Sequence, residues 1–208
     1  MIQLTRLNNS KLTINSDLIK FVEQSPDTVI TLLNGEKILA EPAAAGGASN
    51  ADQSDDQRLT SITGQIEHTL TKEIADGDVA VHSSSEGLII SLREIGFFDT
   101  GSDEIKSSSA AAFSRIADVL HPADNNIRIE GHTDDVPIHN AHFSSNWDLS
   151  TARATATVRL LIHYGLSPER LAASGYAEYH PVSDNQSVAG RALNRRVDIF
   201  ILRRRAEP

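Results

Sequence analysis

The sequence contains no cysteine, few aromatic residues and no long hydrophobic run. The absence of cysteine from all 208 residues excludes disulfides and thiol chemistry, but it does not distinguish cytoplasm from periplasm. Aromatic residues make up 5%, so an aliphatic core is expected. No window approaches the roughly 20 apolar residues of a membrane helix, and polar residues interrupt the N-terminus too often for a secretory signal. The sequence as written therefore predicts neither a membrane span nor a signal peptide.

Positive charge is also scarce, with 19 Lys and Arg against 28 Asp and Glu and a net charge of -9. Nucleic-acid binders use positive charge to displace counterions from phosphates, so no nucleic-acid partner is expected. The three arginines at 203–205 are interpreted as a solvated chain end. The content of 39% apolar and 23% charged residues is typical of a globular protein.

The chain is predicted to contain two units joined by a linker. Residues 1–42 read as an all-β module of short strands, with a hairpin turn at Asn34-Gly35. Residues 43–56 are small and polar without periodicity, which predicts a flexible linker. Residues 57–78 are predicted to form an amphipathic helix. Its apolar stripe fits either packing on the following domain or pairing with a partner, and consists of Leu59, Ile62, Ile66, Leu70 and Ile74.

Residues 79–205 alternate strand and helix patterns. The predicted strands are "VAVH", "GLIISL", "IRIEGH" and "RVDIFIL", with helices over about 103–120 and 147–164. This order predicts an α/β (α+β) sandwich, in which helices pack on a mixed βαβαβ sheet.

The stretch "RIEGHTDD" places two carboxylates where a strand ends, and "SNWDLSTARA" places Arg153 in the second turn of a helix. Asp134 and Arg153 could form a salt bridge, a catalytic pair, or a receptor for a ligand that carries both charges. His132, His139 and His142 with Asp134 could also ligate a metal, although their spacing matches no known metal motif. The residues alone leave these alternatives open.

Six ordered motifs in the second unit resemble the OmpA-like peptidoglycan-binding domain. They are "GLIISL", "FFDTGSDEI", "EGHTDDVPI", "SNWDLSTARA", "LAASGYAEYHP" and "NRRVDIFI". The wording "SNWDLS" and the insertion around Pro137 look most like the flagellar stator protein MotB, whose plug and linker region would correspond to the helix at 57–78. The transmembrane helix of that family is missing from the sequence. In the first unit, "LTRLN" and "PDTVITLLNG" resemble the small flagellar protein FlbD, also called SwrD.

The resemblance implies a non-enzymatic protein without cofactor that binds peptidoglycan. Asp134 would face the ammonium group and Arg153 the carboxylate of a diaminopimelate stem peptide, because a guanidinium matches both carboxylate oxygens. Thr133 and Asn146 would add hydrogen bonds, and Arg196 would border the pocket. Removal of Asp134 or Arg153 is expected to weaken binding and leave the fold intact. Other residues near these motifs are expected to be structural or solvated: Asp135, Gly175 and Tyr176.

The resemblance also implies partners and a location. A homodimer through the 57–78 stripe and contacts with flagellar motor components are expected, and the place of action would be the periplasm or cell wall. The alternative is a cytoplasmic flagellar adaptor whose OmpA-like domain does not meet the wall.

Overall fold

The computed structural model describes residues 50–204 and, before them, the backbone of five strands between residues 2 and 40. The chain divides into two compact units, Met1–Gln53 and Ser54–Pro208.

The first unit contains only strands among its described residues before Asn50. The five strands are β1 (Ile2–Thr5), β2 (Lys11–Ile14), β3 (Ile19–Gln24), β4 (Thr28–Leu32) and β5 (Lys37–Ala40). β1 and β2 pair antiparallel, and β3, β4 and β5 form a separate antiparallel sheet in chain order. This confirms the predicted all-β module. The Asn34-Gly35 turn lies outside the described residues.

The second unit is built on a five-stranded mixed sheet. Its strands are β6 (Val79–Ser84), β7 (Gly87–Arg93), β8 (Ile127–His132), β9 (Leu171–Gly175) and β10 (Arg196–Leu202). They lie in the order β6-β7-β10-β8-β9, in which only β8 and β9 are parallel. The helices are α1 (Asn50–Thr69), whose first four residues fall in the first unit, and α2 (Thr71–Ala75), α3 (Glu94–Phe97), α4 (Ala110–Leu120), α5 (Asn146–His163) and α6 (Val188–Asn194). The predicted α/β sandwich is confirmed.

Alternate residues of the central strands form the aliphatic core. Ile127 and Ile129 of β8 and Val197 and Ile199 of β10 are at most 1% exposed, as expected when one face of a strand is covered. Helix α5 packs so closely on this face that a Cβ on Gly131 would lie 1.9 Å from the carbonyl oxygen of Ser150. Glycine at 131 therefore lets the backbone of α5 approach the end of β8, where the candidate site begins.

Two predicted helix boundaries differ from those observed. α4 begins at Ala110 rather than near 103, because Ile105 forms an antiparallel bridge with Phe98 and keeps the preceding segment extended. α1 begins at Asn50, inside the stretch 43–56 predicted as linker. Its first turns are polar, so they lack the apolar periodicity that identifies a helix in sequence.

The apolar stripe of α1 and α2 packs into the core of its own domain. Leu59 and Ile62 are 6% and 4% exposed, Ile66 and Leu70 are fully enclosed, and Ile74 is half-buried. Of the two interpretations of this stripe, the structure supports packing on the following domain. A second copy could pair through the stripe only if the helix left the core, so the predicted homodimer stays a prediction with no surface assigned to it.

The start of α1 is tied to the end of β10 by acidic residues. Asp55 is 4% exposed and accepts hydrogen bonds from Asn125 Nδ2 at 3.4 Å and from the backbone nitrogen of Arg204 at 3.0 Å. Arg203 pairs with Asp56, and Arg204 pairs with Asp124. Two of the three arginines interpreted as a solvated end are therefore exposed partners of acidic residues.

We expect a fragment of residues 57–208 to be less stable than one of residues 50–208 by about 1–3 kcal/mol, because Asn125 loses a buried partner. Urea unfolding of both fragments measures the difference. Asp55→Ala in the longer fragment should reproduce most of the loss. Asp56→Ala is the matched control and should cost less than about 1 kcal/mol, since its pair with Arg203 is exposed. Equal midpoints for the two fragments would contradict the docking of α1 through Asp55.

Within the part of the chain that the structure describes, no helix combines the length and apolar character needed to cross a membrane.

The second face of the sheet carries a cluster of buried charged residues. Arg196 Nε donates to Asp198 Oδ2 at 2.9 Å, and Arg128 pairs with Glu130. His132 lies between them, with Nε2 at 3.5 Å from Asp198 Oδ2 and 3.7 Å from Glu130 Oε2. The buried charges of Glu130, Asp198 and Arg196 are tolerated here because each has a partner of opposite sign.

Glu130 makes this face sensitive to acid. Burial raises the pKa of Glu130, but the nearby His132 side chain and the ion pair with Arg128 outweigh burial and lower the pKa below the ordinary value of 4.5. The unfolded chain then binds a proton more readily than the folded one, so this stabilisation is present above pH 4.5 and is lost as pH falls through the lowered pKa.

We expect Glu130→Gln to cost about 1.5–3 kcal/mol at neutral pH, because a charge-assisted pair is removed. The difference from the parent should shrink as pH falls from 7 to 3. Urea midpoints across this range measure it, and Glu104→Gln, a change at an exposed position, is the control. A difference that is constant with pH would rule out a lowered pKa for Glu130.

Candidate functional site

The turn after β8 carries Thr133 and Asp134, which are 4% and 7% exposed. The backbone nitrogen of Thr133 donates to the carbonyl of Ala177 at 2.9 Å, so the segment after β9 supports the turn. Ala177 has a φ of 49°, a left-handed conformation that costs energy for a residue with a Cβ. Asp134 Oδ1 accepts from the backbone nitrogen of Val136 at 3.2 Å. These contacts fix the direction of the Asp134 carboxylate.

Asn146, at the start of α5, fastens the same turn. Its Nδ2 donates to the carbonyls of Asp134 at 3.3 Å and Val136 at 3.2 Å, and its Oδ1 accepts from the nitrogen of Ile138 at 3.3 Å. Nδ2 also lies 3.2 Å from Glu178 Oε2. Ser145 caps the helix by accepting from the nitrogen of Asp148. The side chain of Asn146 is thus occupied in shaping the site.

Arg153 projects from α5 and is only 1% exposed. Its Nη2 donates to Glu94 Oε1 at 2.6 Å and to the carbonyl of Asp99 at 3.2 Å, and its Nε donates to the carbonyl of Ser102 at 2.8 Å. Nη1 makes no hydrogen bond with a described residue, and this atom is not fully enclosed by protein. One pair of N–H donors of Arg153 therefore remains available.

Asp134 and Arg153 are connected through two further charges rather than paired with each other. Glu94 Oε2 pairs with Arg195 Nε, and Arg195 Nη1 donates to Asp134 Oδ2 at 2.6 Å. The order Arg153, Glu94, Arg195, Asp134 alternates in sign. Partial burial lowers the pKa of Arg195, but its contacts with Asp134 and Glu94 more than offset this, and the pKa is raised above its ordinary value.

These four charged residues line one cavity of about 510 Å³, together with Arg191. Three cations and two anions therefore converge on it. Apolar side chains form much of the remaining wall: Val136, Pro137, Ile138, Leu149 and Val188. Val136 and Val188 are 55% and 74% exposed and lie at the open side. A concave site with apolar walls and a few fixed charges is the usual form of a small-ligand pocket.

The structure brings four of the five predicted site residues together around this cavity: Thr133, Asp134, Asn146 and Arg153. Arg196 is not among the lining residues. Its side chain lies on the sheet, where Nε bonds Asp198 and Nη2 donates to the carbonyl of His180 at 3.2 Å. Neighbouring side chains point to opposite sides of an extended backbone, so Arg195 reaches the cavity and Arg196 does not.

Sequence reasoning missed Glu94, Arg191 and Arg195. Glu94 follows β7 directly and its backbone nitrogen donates to the carbonyl of Arg195 at 3.0 Å, so the two enter the site together. The two adjacent arginines at 195–196 in "NRRV" were a usable signal. To choose between them, one has to know which arginine side chain points to the cavity side of the backbone.

The histidines do not form a metal site. His132 is buried beside Glu130 and Asp198, whereas His139 and His142 are exposed. No group of three or more His, Asp or Glu side chains in the described range is placed to hold a metal ion. Asp135 is exposed, as expected for a turn residue.

The fold and the site together define an α/β domain with opposite charges fixed around a preformed cavity. Comparisons with known proteins identify its family. Residues 97–195 match the OmpA family, and residues 1–44 match the family of flagellar and swarming motility proteins that includes FlbD.

Three relatives illustrate the match. Motility protein B of Bacillus subtilis is 37% identical over 155 residues, which cover 73% of this chain and 59% of that protein. The cell wall anchor of the T6SS from Pseudomonas aeruginosa is 30% identical with a TM-score of 0.63, and the alignment covers 68% of this chain and 99% of that one. The periplasmic domain of Helicobacter pylori MotB is 30% identical with a TM-score of 0.57, covering 60% and 82% of the two chains.

The chain belongs to the OmpA family through a domain of the MotB type, and it carries a FlbD-type module at its N-terminus. It spans 59% of the length of the Bacillus subtilis relative. None of these three relatives is named as an enzyme, in agreement with the prediction that this chain is not one.

Proposed function

We propose that this protein holds peptidoglycan non-covalently and acts with the flagellar motor stator. The observation that carries the proposal is that Asp134 and Arg153 line one cavity without being paired with each other. A salt bridge between them, which was the main structural alternative, is not formed. Both arms are held by their own partners and face the same space.

A diaminopimelate stem peptide fits the charges of this cavity. Its free end carries an ammonium and a carboxylate on one carbon, so it requires an anion and a cationic fork close together. Asp134, with Glu94 behind it, offers the negative pole. Arg153 Nη1, Arg195 and Arg191 offer the positive pole, and Arg195 takes the place that Arg196 was expected to fill.

The apolar wall suits the rest of the same ligand. Diaminopimelate has a chain of methylene groups between its two charged ends, and burial of each CH₂ contributes about 0.8 kcal/mol. Val136, Ile138 and Leu149 offer a surface of this kind. Thr133 and Asn146 contribute mainly by holding the turn in position, because their side chains already bond the backbone.

The direct test is sedimentation of the full chain with purified peptidoglycan, followed by competition with a soluble stem tripeptide that contains diaminopimelate. Binding that the tripeptide displaces supports the proposal. Replacement of diaminopimelate by lysine removes the second carboxylate and should abolish the competition. Release of soluble muropeptide during incubation would indicate an enzyme instead, and failure to sediment would refute wall binding.

The place of action separates this proposal from the adaptor alternative. Wall anchoring requires the OmpA-like domain outside the inner membrane, in the periplasm or at the cell wall. A cytoplasmic flagellar adaptor would use the same fold without meeting peptidoglycan. Fractionation of cells that express the native chain decides between them. Contacts with motor components, and a homodimer, belong to the same proposal.

A further inference from the structure

A second groove lies along the exposed side of α5, next to the cavity already described. It has a volume of about 530 Å³ and is lined by residues of α5 and of the segments before it. Those that matter for its chemistry are Asp103, Phe143, Trp147, Thr151, Thr155 and Arg159. None of its lining residues also lines the Asp134 cavity. No role assigned above uses this groove.

An exposed aromatic pair marks one end of the groove. Trp147 is 49% exposed and Tyr179 is 64% exposed, and their rings stack with centroids 5.5 Å apart at an interplanar angle of 27°. Trp147 lines the groove and Tyr179 does not, so the stack supports the indole from outside. An indole that is held in place yet half-exposed offers a ready contact surface at little entropic cost.

The polar groups of the groove suit a neutral ligand that both donates and accepts hydrogen bonds. Asp103 and Asp148 offer acceptors and Arg159 offers donors. Asp148 Oδ2 already accepts from the backbone nitrogen of Ser144 at 3.0 Å, whereas Asp103 and Arg159 form no ion pair or side-chain hydrogen bond with another described residue. Mixed charges and hydroxyls beside an aromatic ring match a saccharide. Its hydroxyls pair with such groups, and its C–H face packs on the negative face of an aromatic ring.

The groove and the proposed stem-peptide cavity lie on neighbouring residues of α5, since Asn146 lines the cavity and Trp147 lines the groove. Asn146 and Glu178 are joined by a hydrogen bond of 3.2 Å beside that cavity. Trp147 follows Asn146 and Tyr179 follows Glu178, so the aromatic pair lies directly after this contact in both segments. From Asp148 to Arg159, α5 extends about 16 Å at 1.5 Å per residue. Diaminopimelate is the third residue of the stem peptide, which places the sugar about 10 Å from it in an extended chain.

We infer that this groove binds the glycan strand of peptidoglycan, an N-acetylated amino-sugar polymer, with Trp147 as the stacking surface and Asp103 and Arg159 as hydrogen-bonding partners. The inference rests on the proposed function, since it assigns the sugar part of the same polymer to a separate subsite. One strand would then be held at two points, by its stem peptide in the cavity and by its sugars along α5.

Trp147 is the only tryptophan in the chain, so its fluorescence reports directly on the groove. The probe is chitotetraose, a tetramer of N-acetylglucosamine without peptide, added to the full chain. We expect a saturable blue shift, because a sugar on the indole displaces water. By calorimetry, Trp147→Ala and Arg159→Ala should each weaken chitotetraose binding about tenfold or more. Val182→Ala, at a 62% exposed position outside both sites, is the control and should bind like the parent.

The Asp134→Asn variant separates this inference from the proposed function. It should lose the stem tripeptide and keep chitotetraose, whereas Arg159→Ala should do the reverse. No saturable shift of the parent with chitotetraose, alongside normal tripeptide binding, would overturn the glycan subsite and leave the proposed function standing. Chitotetraose binding without tripeptide binding would overturn the stem-peptide site alone. Arg159 lies on an exposed helix face, so this variant carries the test even if Trp147→Ala does not fold.

Discussion

Asp134→Asn is expected to lose most of the affinity of the full chain for diaminopimelate-type peptidoglycan. The substitution keeps an oxygen that can accept from the nitrogen of Val136, but it removes the negative charge that would face the ligand ammonium. Loss of one partner of a desolvated charge pair costs about 2–5 kcal/mol, which corresponds to roughly 30-fold or more in affinity.

The fold should tolerate this change. Asp134 is bonded to Arg195, but Arg195 also pairs with Glu94 and its side chain is 32% exposed, so it is not left as an isolated buried charge. A stability loss of about 1 kcal/mol is expected. Thermal unfolding of the variant and the parent measures it, and a low loss keeps the binding result interpretable.

Asp135→Asn is the matched control for this experiment. It makes the same chemical change one residue further on, at an exposed side chain outside the cavity. Sedimentation with peptidoglycan at matched salt, and calorimetry with the soluble stem tripeptide, should show parent-like binding for Asp135→Asn. If Asp134→Asn also bound like the parent, Asp134 would not be an arm of the receptor.

The sequence predicted the architecture better than the site. Hydrophobic periodicity can be read from the sequence, whereas the direction in which a side chain points cannot. Helix α5 was predicted within one residue of its observed ends, since a helical pattern is a local property of the sequence. β9 was not predicted as a strand. Its sequence "LAASG" has small residues and no alternation, so its state depends on pairing with β8.

The candidate site was only partly predicted, because the sequence does not show which distant residues meet in space. The family motifs identified Asp134 and Arg153, which are 19 positions apart, but no local pattern connects them with Glu94 and Arg195. Those residues come from the ends of β7 and α6, and only the sheet order β7-β10-β8 brings them together. Arg196 was chosen over Arg195 for this reason, because the sequence does not state which of two adjacent arginines faces the cavity.

Burial of Arg153 changes one expectation for the variants. The sequence predicted that its removal would affect binding only. The structure places its guanidinium between Glu94, two backbone carbonyls and the ring of Phe98, whose centroid lies 5.3 Å from Cζ. Arg153 therefore links α5 to the segment 94–102 and has a structural role as well as a proposed ligand role.

Arg153→Ala is accordingly expected to destabilise the domain by about 3–5 kcal/mol, because it breaks a buried ion pair and leaves the carbonyl of Ser102 without a donor. Arg153→Lys should cost less than Arg153→Ala, since lysine keeps the positive charge. It should still be less stable than the parent, because lysine lacks the planar fork that reaches three acceptors at once. Urea unfolding measures both changes. Arg159→Ala, on the exposed side of the same helix, is the control and is expected within about 0.5 kcal/mol of the parent.

Glu94→Gln combined with Arg153→Ala should cost less than the sum of the two single changes, because each removes the same pair. Strict additivity would show that the pair with Glu94 does not stabilise the fold. An Arg153→Ala midpoint equal to that of the parent would show that Arg153 has no structural role, and any loss of peptidoglycan binding by this variant would then report on the ligand alone.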